Sequence, residues 1–245
     1  TVTQLGGNTL YGYSVRARNV EGYVTEYSSQ VYMSTLADIP ARADVTAISS
    51  GVLNVLVNPG TNSPQTEYAI LMSGDGWATS EYIQLGGTRA AESVWQTRTG
   101  WGLAGKDVIG LNPNSNYSFK VKARNYDGIE TGYSLQSDRR THIESPERIE
   151  FTGIYRTSHT MTAIGTFTDL GSGGIQYSYN AAGSTVPSSW VDADWKITNE
   201  YIKEGLKANT TYWYRVRTRN ADLVTNAWVY VGGVRATGIE EVTDC

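Results

Sequence analysis

Residues 111–125 read LNPNSNYSFKVKARN, and the alternation that starts at Tyr117 decides the fold. Phe119, Val121 and Ala123 fall on one side of an extended chain, and Lys120, Lys122 and Arg124 fall on the other. An apolar row opposite a charged row at period two predicts a β-strand with a buried face and a hydrated face. The block recurs as LGGNTLYGYSVRARN at 5–19 and LKANTTYWYRVRTRN at 206–220. Tyr13, Val15 and Ala17 then oppose Arg16 and Arg18, while Tyr214, Val216 and Thr218 oppose Arg215, Arg217 and Arg219. Tyr11, Tyr117 and Tyr212 open the three strands 106 and 95 residues apart, the length of a β-sandwich domain and far longer than a solenoid repeat.

Composition agrees with an all-β chain. Among 245 residues there are 17 Tyr, 7 Trp and 26 Gly, which suits half-buried strands joined by tight turns. A net charge of -4 argues against a nucleic-acid partner, because phosphate binding needs a basic footprint. No stretch approaches the roughly 18 consecutive apolar residues of a spanning helix, so membrane insertion is not expected. The single cysteine, Cys245, cannot form an internal disulfide, and the domains must be stable through their cores alone.

The Leu, five residues, Tyr, alternating strand and closing Arg-Asn together resemble strand F of the fibronectin type III family. The resemblance implies a tandem of immunoglobulin-like β-sandwiches, with Tyr11, Tyr117 and Tyr212 as structural corner tyrosines whose hydroxyls bond a nearby backbone group. Pro40 and Pro146, which follow Thr35-Leu-Ala and Thr141-His-Ile, stand where strand A of that family opens. Thr66–Ile70 and Ile175–Tyr179 resemble its strand C. The usual strand B tryptophan is missing from both Leu53, Val55, Val57 and Ala163, Gly165, Phe167, so Trp95, Trp101, Trp190 or Trp195 is expected to fill the core in its place. The boundaries that follow are 1–37, a partial domain holding strands F and G alone; 38–142 and 143–238, two complete domains; and 239–245, a tail that repeats the start of a linker. A chain opening in mid-domain is expected to be an excised fragment; the alternative is that the lone hairpin completes a neighbouring molecule. Turns Asn19–Gly22 and Asn125–Gly128 carry a glycine suited to φ > 0, whereas Asn220–Leu223 lacks it and predicts a longer, differently shaped loop.

Signatures of chemistry are sparse, and neither a catalytic residue, a cofactor nor a metal site is expected. The two histidines, His142 and His159, read as loop residues, and no H-E-x-x-H, C-x-x-C or G-x-x-x-x-G-K occurs. Asp192 and Asp194 could contribute oxygens to a calcium site, but a solvated loop is the favoured reading. Asn116-Tyr-Ser and Asn209-Thr-Thr match the loose N-glycosylation pattern.

The candidate binding residues lie in the third repeat, where Trp213, Arg215, Arg217 and Arg219 share one strand face and Trp190, Trp195 and Trp228 add aromatic surface. Arginine over tryptophan gives a cation-π contact, and a structural ladder guarding the sheet face is the favoured reading of the row over a binding stripe. For Trp190, Trp195 and Trp228, exposed and coplanar rings would stack on sugars, whereas buried rings would fill the core, which is the favoured reading. The leading expectation is a non-catalytic structural, spacer or adhesion segment of an extracellular or cell-surface protein, with bacterial origin expected and protein or glycan partners. Two alternatives stand beside it: an accessory glycan-binding segment of a secreted polysaccharide-degrading enzyme, and a homo-oligomeric filament subunit that uses residues 1–37, with Cys245 cross-linking neighbours.

Overall fold

The computed structural model describes residues 1–182 and 185–235, the last five by backbone alone. Cys245 and the tail at 239–245 lie outside the described residues. The chain divides into two compact units, one formed by Thr1–Thr46, Val52–Gly110 and Asn116–Arg139, the other by Ala47–Gly51, Leu111–Ser115 and the chain from Arg140 onward.

In the first unit, β1 (Leu10–Tyr13) pairs antiparallel with β2 (Val31–Ser34) in a two-stranded sheet. There follow β3 (Ala41–Ser49), β4 (Val52–Asn58), β5 (Glu67–Ser73), β6 (Glu81–Ile83), β7 (Arg89–Ala90) and β8 (Gln96–Thr97). A four-residue helix, α1 (Arg98–Trp101), then leads to β9 (Lys106–Val108), β10 (Asn116–Arg124) and β11 (Ser137–Arg140). One sheet runs β3-β4-β9, and the other runs β11-β10-β5-β6-β7 with β8 beside β5. The second unit contains β12 (Arg148–Ile154), β13 (Ser158–Ile164), β14 (Gly174–Ala181), β15 (Val191–Asp192), β16 (Glu200–Glu204), β17 (Thr211–Arg219) and β18 (Val229–Arg235). Its sheets run β12-β13-β16 and β15-β14-β17-β18. Each unit thus holds a sandwich of three antiparallel strands facing a larger sheet built on two long central strands, the immunoglobulin-like architecture of fibronectin type III domains.

Period-two alternation explains the cores. Phe119, Val121 and Ala123 of β10 are buried, as are Leu53, Val55 and Val57 of β4, and the two rows belong to the two different sheets of the first unit. In the second, Tyr212, Tyr214, Val216 and Thr218 of β17 are buried with Ile175 and Tyr177 of β14. Each large apolar side chain removed from water contributes about 1.5–3 kcal/mol. The equivalent residues of β1 and its continuation are open to solvent: Tyr13 is 41% and Val15 71% exposed, because no second sheet covers this hairpin among the described residues.

The corner tyrosines sit at the mouths of these strands. The Tyr11 hydroxyl accepts from the Gly6 amide at 2.9 Å, and that of Tyr212 accepts from the Lys207 amide at 2.9 Å. Tyr117 is buried at the matching place in β10.

Three local expectations are corrected by the structure. His159 is no loop residue: it lies in β13 and is fully buried, its Nδ1 sharing a 2.8 Å hydrogen bond with the Tyr214 hydroxyl while Phe151 and Tyr212 meet it edge-on. The inward row of β13 is therefore His159, Met161 and Ala163, and the strand ends before Gly165 and Phe167. The turn after β17 is neither longer nor differently shaped. Asn220 N donates to Val224 O at 3.0 Å and Leu223 N to Asn220 O at 2.9 Å, matching the Asn125–Ile129 and Asn125–Gly128 pairs after β10. Leu223 takes φ = 63°, in the left-handed region occupied by Gly22 and Gly128, because the Asn220 side chain accepts from the amides of Asp222 and Val224 and closes the turn. Trp101, fully buried and donating its indole N–H to Tyr68 O at 2.8 Å, fills the first core. In the second core the volume is taken by aromatics other than tryptophan, among them Tyr177 stacked on Tyr201 at 4.9 Å.

Two measurements check this description. Leu223 is mostly exposed and sits where a side chain is strained, so Leu223→Gly should raise the unfolding free energy of the second unit by about 0.5–1 kcal/mol in urea titration. Burial holds the His159 imidazole below its usual pKa of 6.5. The unfolded chain then takes up a proton that the folded chain refuses. Stability is intact above pH 6.5 and declines as the pH falls below it toward the depressed folded value. Thermal melts should show this decline, and His159→Gln, which retains a hydrogen-bonding group for Tyr214, should flatten it.

Candidate functional site

The hydrated row of β17 is the place where charge and aromatic surface coincide. Arg215, Arg217 and Arg219 project at intervals of two residues, about 7 Å along a strand, which leaves room for a ring between successive guanidiniums. Trp228, from the chain just ahead of β18, lies 4.1 Å from Arg215 and 4.2 Å from Arg217. Trp195, between β15 and β16, lies 5.4 Å from Arg217 and 4.2 Å from Arg219. Trp190 caps the row at 4.5 Å from Arg215, and Tyr230 meets Trp190 edge-on at 5.8 Å. The order along the face is Trp190, Arg215, Trp228, Arg217, Trp195, Arg219.

Arg217 and Arg219 are also hydrogen-bonded to neighbouring parts of the chain, and Arg215 is ion-paired while its buried Nε has no hydrogen-bond partner among the described residues. Both Nε and Nη2 of Arg217 donate to Gln176 Oε1, at 3.0 and 2.8 Å. Arg215 faces Asp192 at 3.5 Å, and Arg219 Nε donates to Gly173 O at 3.4 Å. Asp192 is thereby drawn to an arginine; among the described residues no group of three or more His, Cys, Asp or Glu could hold a metal ion.

The first unit repeats the arrangement with different residues. Lys120 Nζ lies 4.2 Å from the Trp77 ring, whose indole N–H donates to Gln136 Oε1 at 2.6 Å. Lys122 is enclosed by Tyr82, Trp95 and Tyr133 at 5.2–5.6 Å and paired with Glu130 at 2.5 Å. Arg124 lies 4.7 Å from Trp95 and is paired with Glu67 at 2.6 Å. Arg16 over Tyr27, at 4.8 Å, is what the hairpin retains of the same device.

The structure therefore brings Trp190, Trp195, Trp228, Arg215, Arg217 and Arg219 into one ladder. Trp213 shares the strand row and is half-buried. Trp190, Trp195 and Trp228 roof the outer face of the sheet beside the guanidiniums and are not part of the second unit's buried core cluster. Nor is the basic row simply hydrated, since Lys122 is buried and the Arg215 side chain is only 15% exposed. Long aliphatic stems lie against the sheet while the charged heads are received by ring faces. The sequence reading missed Gln176, Trp77, Tyr82 and Tyr133, because the partners of each cation come from other strands and loops. The repeated cation row itself was the signal available.

The chemistry this ladder supports is electrostatic and mechanical. Each ring contact contributes about 0.5–1 kcal/mol when exposed and up to about 2 when shielded from water. Planar, always-charged guanidiniums stack where ammonium groups would not, which suits Arg to the row with three rings. His142, the one other imidazole, shares a 3.1 Å hydrogen bond with Asn226 Oδ1 in the linker region of the second unit.

No protein-family profile matches the sequence, and no curated protein is detectably similar to it. Among solved structures, the chain is similar to a segment of two fibronectin type III domains from chicken tenascin, with 13% identity over 81% of this chain and 99% of that one and a TM-score of 0.49. It is also similar to the FN1–FN3 domains of chicken contactin, with 17% identity over 94% of this chain and 77% of that one and a TM-score of 0.33.

If the ladder braces the sheet, Trp228→Ala should lower the unfolding free energy of the second unit by about 1–3 kcal/mol and leave the first unit unchanged, as followed by hydrogen exchange resolved to each unit.

Proposed function

We propose that this chain is a non-catalytic, load-bearing spacer or adhesion segment of a larger extracellular protein. The observation that carries the reading is the ladder in both sandwiches. Arg217, Arg219 and Lys122, which would bind an anionic or glycan ligand, are instead committed to tryptophan and tyrosine rings and to acceptors of their own sheet. Trp228 and Trp195, the rings best placed to stack on a sugar, each lie against two guanidiniums. Such a roof stiffens the central strand, which suits a module whose task is to hold its shape under tension. No helix among the described residues is long and apolar enough to cross a membrane.

Single-molecule stretching tests the reading. Pulled from its two ends, the chain should yield two discrete unfolding events, each releasing about 300 Å, since roughly 100 residues extend to about 3.3–3.6 Å apiece. Smooth extension without cooperative events would contradict a load-bearing role. A saccharide that quenches tryptophan fluorescence at micromolar concentration would favour glycan binding instead.

A further inference from the structure

Three asparagines occupy the same place in the three repeats, just ahead of the corner-tyrosine strand. Asn8, Asn114 and Asn209 have φ of 42°, 47° and 53°, the left-handed region that Asn tolerates better than other side chains. The carboxamides of the first two are buried and hydrogen-bonded through both oxygen and nitrogen. In the first unit, Asn8 Oδ1 accepts from the Tyr126 amide at 2.9 Å and Asn8 Nδ2 donates to Thr66 Oγ1 at 2.8 Å. In the second unit, Asn114 Oδ1 accepts from the Ala221 amide at 2.9 Å, while Nδ2 donates to the carbonyls of Thr168 and Asp169 at 3.2 and 3.1 Å. Each asparagine therefore grips the turn after strand β10 or β17 and the loop ahead of β5 or β14, both belonging to the repeat that follows it in sequence.

The gripped turn answers in kind. Asn125 Nδ2 donates to Thr35 O at 3.1 Å, and Asn220 Nδ2 donates to Thr141 O at 3.0 Å. One residue of each linker adds a second clasp. Asp38 Oδ2 accepts from the Thr61 hydroxyl at 2.7 Å, and the Glu144 carboxylate accepts from the amide and hydroxyl of Thr168 at 2.8 and 2.6 Å. The same constellation of groups is thus assembled twice from different residues.

Asn209 is the third member and is exposed, with no side-chain hydrogen bond among the described residues. Its backbone already has the left-handed conformation, and Thr210 Oγ1 donates to Ala208 O just as Ser115 Oγ donates to Pro113 O. In sequence, Thr237-Gly-Ile-Glu240 repeats the linkers Thr35-Leu-Ala-Asp38 and Thr141-His-Ile-Glu144. We propose that the Asn209 surface is a docking site for one more β-sandwich of this class, tethered through the 237–241 linker. A turn amide of that sandwich donates to Asn209 Oδ1, and a loop acceptor ahead of its central strand receives from Nδ2. Tethering raises the local concentration enough for a small polar contact to close, as the separate polypeptide of a second molecule would not.

The test continues the chain after Glu241 with a second copy of its own residues 146–238. Hydrogen exchange and the side-chain amide resonances of Asn209 are then followed with and without Asn209→Gly, which keeps the backbone conformation and removes both polar groups. We expect the amide of the appended residue equivalent to Ala221 to exchange at least tenfold more slowly than the Val20 amide, whose turn is ungripped. Asn209→Gly should abolish that protection while leaving the unextended chain unchanged, and Asn114→Gly should deprotect Ala221 in both. Equal exchange with and without Asn209→Gly in the extended chain overturns the proposal. So does concentration-dependent movement of the Asn209 resonances in the unextended chain, since a second molecule would then be the occupant.

Discussion

Everything in both sandwiches depends on a period-two constraint acting on β10 and β17. Adjacent side chains must face opposite ways, so a strand that buries Phe119, Val121 and Ala123 must send Lys120, Lys122 and Arg124 outward, and β17 obeys the same rule. The inward row joins the apolar core. The outward row is long, cationic and flat-lying, and its charges find rings and acceptors within the same sheet rather than bulk water alone. Both faces of the central strand are thereby engaged by side-chain contacts.

The strands themselves were readable because their signal is local. Alternation, the corner tyrosine and the Asn-led turn each occupy a few consecutive residues, and they recur three times. What escaped the reading is non-local. Whether Arg217 meets water or Trp228 depends on a loop eleven residues farther along, and no periodicity records it. His159 looked like a loop residue because imidazole is uncommon in cores, yet Phe151, Tyr212 and Tyr214 build an aromatic pocket around it. The turn at Leu223 forms without glycine because the Asn220 side chain supplies the hydrogen bonds that shape it, and the backbone accepts a strained residue there. The core tryptophan of the first unit is Trp101, carried on α1, a position that strand patterning could not single out among four candidates.

Function on such a scaffold resides in what the framework leaves unspent. In the cation rows the most conspicuous charged groups lie against rings and acceptors of their own unit. The asparagine carboxamides work differently: a planar group with two donors and one two-lone-pair acceptor takes the Tyr126 and Ala221 amides and the Thr168 and Asp169 carbonyls, with the Thr66 hydroxyl as a side-chain partner, and so responds largely to a neighbour's backbone. Repetition of that grip at Asn8 and Asn114, with different flanking residues, marks it as a rule of this chain's construction.

A structural ladder requires energetic coupling between Arg217 and Trp228, which lie 4.2 Å apart. A double-mutant cycle with Arg217→Ala, Trp228→Ala and the combined variant, measured by equilibrium unfolding of the second unit, isolates it. A coupling of about 0.5–2 kcal/mol is predicted for a ring-capped guanidinium. Coupling indistinguishable from zero, with both single variants as stable as the parent, would contradict a structural ladder.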